Sequence, residues 1–188
     1  MKKFELTSEF VTFLGKTLFR IKALVSFGDV AEGELGGFIE RENNLDQSGD
    51  AWVSDDAKVF GNAKVFGNAW VSGDAKVFGN AKVCGNAWVF GDAKVFGNAK
   101  VFGNAWVSGD ARVQNCRDYS ATSCFGSENR TTTFFRTKDG GISVRCGCFY
   151  GTLREFREKV KERHGDSRLA KEYLMLADLM EFRLSKDE

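Results

Sequence analysis

The residues Gly85-Asn86-Ala87-Trp88-Val89-Phe90, Gly91-Asp92-Ala93-Lys94-Val95-Phe96 and Gly97-Asn98-Ala99-Lys100-Val101-Phe102 decide the fold. They are three variants of one six-residue unit, and the next unit, opening at Gly103, returns to tryptophan at Trp106. Reading outward, the unit repeats without a gap from Gly49 to Gln114, eleven times. Its first position is Gly in ten of the eleven, with Asp55 the exception; its second is always Asn or Asp, its third Ala and its fifth Val. Gly followed by Asn or Asp is turn chemistry that accepts positive φ. The Lys-Val-Phe or Trp-Val-Ser triplet that follows is a short strand whose outer members share one face while Val points to the other. Val and Ala therefore fill a narrow interior. Strands this short gain stability only by stacking, at a spacing of ~4.8 Å.

A second period sets the cross-section. Trp52, Trp70, Trp88 and Trp106 are spaced by 18 residues, as are Asp56, Asp74, Asp92 and Asp110. One coil is then three hexads, a triangular prism, and residues 49–114 make about 3.7 coils of a parallel β-helix. An amphipathic α-helix would need a period of about 3.6, which a hexad does not supply. The 188 residues include no proline, in keeping with a stack that uses every backbone donor.

The V-x-G-N/D-A-x unit resembles the hexapeptide-repeat family, and that resemblance implies a left-handed β-helix and a homo-oligomer, most often a trimer. The segment FGDVAEGELGGFIE, Phe27 to Glu40, is similar to the lead-in of small bacterial and phage hexapeptide-repeat proteins. The segment CGCFYGTLREF, Cys146 to Phe156, resembles a tail module of phage-encoded repeat proteins.

Around the repeat the chain divides into residues 1–48, an N-terminal β cap and lead-in, and residues 115–188, a β-hairpin followed by two helices. Leu14-Gly15-Lys16 reads as the turn of an N-terminal hairpin that covers the otherwise bare first rung. Lys138-Asp139-Gly140-Gly141 turns a second hairpin, while residues 115–129 read as loop or irregular rung. Thr152 and Glu155 form a capping box for the first helix, which closes at His164-Gly165. The second helix, from near Ser167, carries a Leu169, Tyr173, Leu176, Met180 stripe but is apolar nearly all round, so a subunit contact through it is expected. The fold class is mainly β.

Two ladders of large rings point away from a core already filled by Val and Ala. They are Trp52, Trp70, Trp88 and Trp106 beside serines, with Phe90 in one serine slot, and Phe60, Phe66, Phe78, Phe96 and Phe102 beside lysines. At ~100 Å² each, well under their full ~150–250 Å², ten outward rings would expose ~1,000 Å², more than a monomer's usual largest patch of ~300–600 Å². They are expected to form an oligomer or partner interface, or else to be covered by the terminal segments folding back. The lysine columns suit single-stranded nucleic acid or a solvated face that blocks edge aggregation. The formal charge of +1 argues for the second and against nucleic acid as a partner.

Catalytic signatures are sparse. Acyltransferases of the resembled family use a histidine beside the coil and a loop inserted between rungs; residues 49–114 contain no histidine and no interruption. A γ-class carbonic anhydrase needs three zinc histidines, and the chain has only His164, whose place at a helix end suits capping. Cys116, Cys124, Cys146 and Cys148 offer either a four-thiolate zinc site of unusual spacing or small buried thiols. Five cysteines without framework spacing suit a reducing compartment. With no apolar run of membrane-spanning length and no signal-like start, a cytoplasmic protein without membrane contact is expected. Arg130, Arg136, Lys138 and Arg145 lie in or next to the second hairpin, just before Gly151-Thr152 at a helix start. Together they suit a phosphate or carboxylate, or are surface arginines beside an ordinary cap.

The expectation is a non-enzymatic, cofactor-free oligomeric binding protein. The resemblance to phage accessory proteins implies sequestration of a small anionic ligand, such as a nucleotide signal of host defence, in the host cytoplasm. The alternatives are an inhibitor or structural phage component that grips a host protein through the Phe and Trp ladders, and a degenerate acyltransferase.

Overall fold

The computed structural model describes residues 2–185. Its body is a parallel β-solenoid of about four turns with 18 residues per turn. Eleven two-residue strands, β4 (Trp52–Val53) to β14 (Arg112–Val113), stack into three faces. The tryptophan face is β13-β10-β7-β4, and a lysine face is β12-β9-β6. The other lysine face, β5-β8-β11-β14, is continued by three strands from the N-terminus: β3 (Leu35–Ile39), β2 (Lys16–Ala23) and β1 (Phe4–Phe13). Registry is in phase throughout: Trp70 lies between Trp52 and Trp88, and Lys76 between Lys58 and Lys94. Backbone donors reach the next coil, as in Trp52 N–H to Ala69 O at 3.0 Å and Ser54 N–H to Val71 O at 2.9 Å.

The interior is as the hexad dictates. Every repeat valine and alanine from Ala51 to Val113 has no exposed surface. Burying one valine contributes ~1.5–3 kcal/mol, so each rung adds its own share to a common column. The corners are tied outside as well. Asn62, Asn80 and Asn98 form one ladder of amide hydrogen bonds, and Asn68, Asn86 and Asn104 another, at 3.1–3.2 Å. On the tryptophan face two indoles reach back to the serine of the previous coil, Trp70 Nε1 to Ser54 Oγ at 2.9 Å and Trp88 Nε1 to Ser72 Oγ at 3.2 Å.

The N-terminal hairpin turns at Leu14-Gly15, both at positive φ. Its base, Phe4 and Ile21, joins the solenoid core, and Phe38 and Ile39 of β3 sit under Lys58 and Val59. Gly36 and Gly37 permit that approach, because a Cβ on either would lie 2.5 Å from Val53 O or 2.7 Å from Ala57 O. The tip lies along the lysine face, with Phe13 edge-on to Phe60 at 5.7 Å.

At the other end the chain forms a four-stranded antiparallel sheet in sequence order: β15 (Tyr119–Phe125), β16 (Arg130–Arg136), β17 (Ile142–Cys146) and β18 (Phe149–Thr152). The expected hairpin is its β16–β17 centre; β15 lies in the segment read as loop, and β18 in the run up to the helix. One face of this sheet covers the last coil, with Tyr119 and Phe135 entering the solenoid core. The other carries α1 (Leu153–His164) and α2 (Arg168–Leu184) over Phe134 and Val144. Thr152 and Glu155 make the expected capping box, and Ser167 caps α2. Among the described residues no helix is long and apolar enough to cross a membrane.

The large outward rings are better covered within one chain than the sequence suggests. Trp52 is fully buried and Phe60 is 4% exposed. Trp70, Phe66, Phe78, Phe96 and Trp106 are half-buried, and only Trp88 (38%) and Phe102 (57%) remain exposed. Three things cover them. Phe60, Phe78 and Phe96 stack on one another, with centroids 5.0 and 5.2 Å apart. Phe27 packs edge-on to Trp52 at 5.4 Å. The hairpin tip covers Phe60. The expectation of a bare ~1,000 Å² surface is therefore corrected. Tyr173 and Met180 are also buried within the chain, under the sheet, rather than on an outward face.

Candidate functional site

The turns of the C-terminal sheet put a cleft at one rim. The β15–β16 turn ends at Asn129, at φ 49°, and the β17–β18 turn is Gly147-Cys148, with Gly147 at φ 56°. Both lie at the same end of the sheet, because alternate turns of a meander do. Arg130 begins β16 there, beside Gly147 and Cys148. On the solenoid side these three line a cleft of about 560 Å³ with Asn104, Trp106, Thr131 and Arg145. On the helix side they line a second of about 540 Å³, whose walls include Phe149, Lys159, Arg163 and His164. Arg130 thus stands on the partition between two adjoining hollows.

Arg145 is the most constrained cation of the site. It projects from β17 opposite Thr133. Its guanidinium lies 5.5 Å from the ring centroids of both Phe90 and Trp106. Its Nε is buried and has no hydrogen-bond partner. The stacking explains a break in the repeat: where other coils carry Ser54 and Ser72 to accept from the following tryptophan, Phe90 stands before Trp106 and presents a π face to arginine. Cation–π contact of this kind stabilises by ~0.5–2 kcal/mol, but it leaves the guanidinium donors free.

Among the described residues, neither Arg145 nor Arg163 has an ion-pair partner, while Arg130 has only Glu128, 3.8 Å away, and Lys159 is tied to Glu162 at 2.9 Å. His164 stacks on Tyr173 at 5.7 Å and ends α1, where Lys161, Arg163 and His164 also offset the helix dipole. Glu128 is the one carboxylate on these walls among the described residues. The site is therefore a cationic cleft with an aromatic floor, suited to an anion.

The six residues expected to bind an anion do not converge. Arg130 and Arg145 share the cleft, but Arg136 is used inside the fold: its Nε donates to Leu184 O and Nη2 to Ser185 O, both at 2.8 Å, with Asp118 3.4 Å away. It satisfies carbonyls that the end of α2 leaves open. Lys138 is an exposed residue of the turn at the opposite end of the sheet. Gly151 and Thr152 line a separate hollow of about 380 Å³ with Asp110, Asp139 and Glu155. There the Thr152 backbone N–H and then its hydroxyl hold Glu155 below the usual carboxylate range, while the Thr137 hydroxyl and Gly141 N–H do the same for Asp139. The helix start is already occupied by its own carboxylate, and a second anion would be repelled. Lys159, Arg163 and His164, absent from the expected set, take their place. Their position across from Arg130 depends on how α1 folds back over the sheet, which no local signal encodes; Phe90 in a serine slot was the one available sign.

All five cysteines are free, and no group of His, Cys, Asp or Glu among the described residues is placed to hold a metal. No protein-family model matches the chain, and no curated protein matches it.

Proposed function

We propose that this chain is a non-enzymatic binding protein of the hexapeptide-repeat type, with a left-handed solenoid, and that it takes a small phosphate-bearing anion in the Arg130–Arg145 cleft. The observation that carries this reading is Arg145: a guanidinium stacked on two rings, without an ion-pair partner among the described residues, lining a hollow that Arg130 shares. The Arg145 Nη groups make no hydrogen bond to the described residues, so a phosphate oxygen in the cleft could accept from them without displacing a partner. The rings and the guanidinium plane favour a flat, charged ligand, and a nucleotide has both a phosphate and a base. Sequestration of a nucleotide signal by a phage-type accessory protein is the biological form this binding would take.

Isothermal titration of the full chain with inorganic phosphate, then with mono- and dinucleotides, tests it. Saturable binding is expected for at least one nucleotide, weaker by roughly tenfold or more in Arg145→Ala and in Arg130→Ala, since each charge-assisted bond contributes ~1.5–3 kcal/mol. Arg136→Ala should leave the affinity unchanged. Absence of binding across the series, or binding indifferent to both cleft arginines, removes the proposal. The exposed rings of Trp88 and Phe102 favour a second reading, a protein partner on the solenoid faces. A stoichiometric host protein captured by the wild-type chain and lost with Phe102→Asp would support it.

A further inference from the structure

The outer face of α2 carries Met175, Leu179 and Phe182, which are 72%, 56% and 84% exposed. Their spacing of four and three residues puts them on one stripe, opposite the buried Tyr173, Leu176, Met180 and Leu184. The helix is thus apolar on two sides, and the structure covers only one. A phenylalanine bare to water at the end of a helix has no role in the fold of its own chain, so the stripe needs an occupant.

We infer that the occupant is the same stripe of a second copy, packed antiparallel about a two-fold axis near Asp178. The stripe is self-complementary in shape: antiparallel packing about that point sets Met175 of one copy against Phe182 of the other, and Leu179 near its own equivalent. It is also self-complementary in charge. Glu172 and Arg183 lie on the same flank of the stripe, near its two ends, and neither has an ion-pair partner among the described residues. The Met175–Phe182 and Glu172–Arg183 pairs are centred about one residue apart, ~1.5 Å of helix rise. A single two-fold axis therefore brings both Glu172–Arg183 contacts together with both Met175–Phe182 contacts. Parallel packing would instead carry the two copies of this flank to opposite sides of the contact, where Glu172 and Arg183 could not meet. Asp178, which borders the other flank, is held at 2.6 Å by Arg157 of its own chain, so it adds no free charge to the contact.

The area bounds the strength. Three residues this exposed offer ~400 Å² per copy, given ~150–250 Å² for a full ring. Two copies with their charged flanks reach about 1,200 Å², the lower limit for a specific interface, so the dimer is a small, reversible one. This contact is independent of the anion cleft, which opens on α1 and the sheet rim.

Sedimentation velocity of the full chain across low to high micromolar concentration is the test. The expected result is a species of twice the 20.9 kDa chain mass, populated by mass action. Leu179→Glu or Phe182→Glu should weaken it at least tenfold, with unchanged circular dichroism and melting. Glu172→Arg and Arg183→Glu should each weaken it several-fold, and the two together should restore it. A chain that stays single at every concentration overturns the inference. So does an oligomer of any size that survives Phe182→Glu, or a double charge reversal that restores nothing.

Discussion

Replacing one corner glycine by alanine should cost very different amounts depending on what stands above it. Gly79 has φ 73°, and a Cβ there would lie 3.0 Å from Gly97 N and 3.2 Å from Gly97 O, backbone atoms that cannot swing aside. Gly103 has nearly the same φ, 70°, but nothing within 4 Å. The left-handed conformation alone costs an L-residue ~1–2 kcal/mol, which is the whole loss expected for Gly103→Ala. At Gly79 the coils must also part by a few tenths of an ångström. That strains the Asn80 N–H to Gly97 O bond, now 2.8 Å, and adds ~1 kcal/mol. Asp55 supplies the third term. It occupies the glycine slot at φ 54°, and its carboxylate accepts from Gly73 N–H at 2.8 Å. Gly79→Asp should reproduce that bond with Gly97 and lose about 1 kcal/mol less than Gly79→Ala. Urea denaturation followed by circular dichroism, with the slope checked for constancy, measures all three. For a chain of this size 1 kcal/mol is ~2–4 °C, so Gly79→Ala should melt ~5–10 °C below wild type. Equal losses for Gly79→Ala and Gly103→Ala, or an aspartate no better than alanine, would refute the stacking argument.

Two further outcomes follow from the termini. Burial lowers the Lys3 ammonium from 10.5 to about 8, although it donates to Ala51 O at 2.8 Å and Gly49 O at 3.1 Å. The folded chain loses this proton first, so between pH 8 and 10.5 the unfolded chain binds more protons and stability rises with pH. Denaturation midpoints across that window should climb in wild type and stay flat, for this contribution, in Lys3→Met; a wild-type curve without the climb would contradict the burial. Thr152→Ala removes the cap of α1 and should cost about 1 kcal/mol in thermal unfolding. Nucleotide affinity should not change in that variant, and a loss of affinity would return the anion site to the helix start.

The legible parts and the illegible ones differ in the range of the interactions that fix them. Rung length, the inward Val and Ala, the turn corners and the 18-residue coil are each set by a residue and its neighbours, then repeated, so the hexad alone determined them. The cap of α1 was equally readable, because Thr152 and Glu155 satisfy each other within one turn. By contrast, Arg136 and Arg145 look alike in the sequence. Only the packed chain sends one to the carbonyls at the end of α2 and the other onto Phe90 and Trp106. The same holds for the rings. The sequence determined that they point out of the solenoid. Whether they meet water depends on where the N-terminal hairpin and the C-terminal sheet come to rest, and on which side of α2 the sheet covers. Those contacts join residues from 25 positions apart, as Phe27 and Trp52, to 55, as Phe90 and Arg145, through burial that is non-directional, so no short pattern records them; only the tertiary structure decided them.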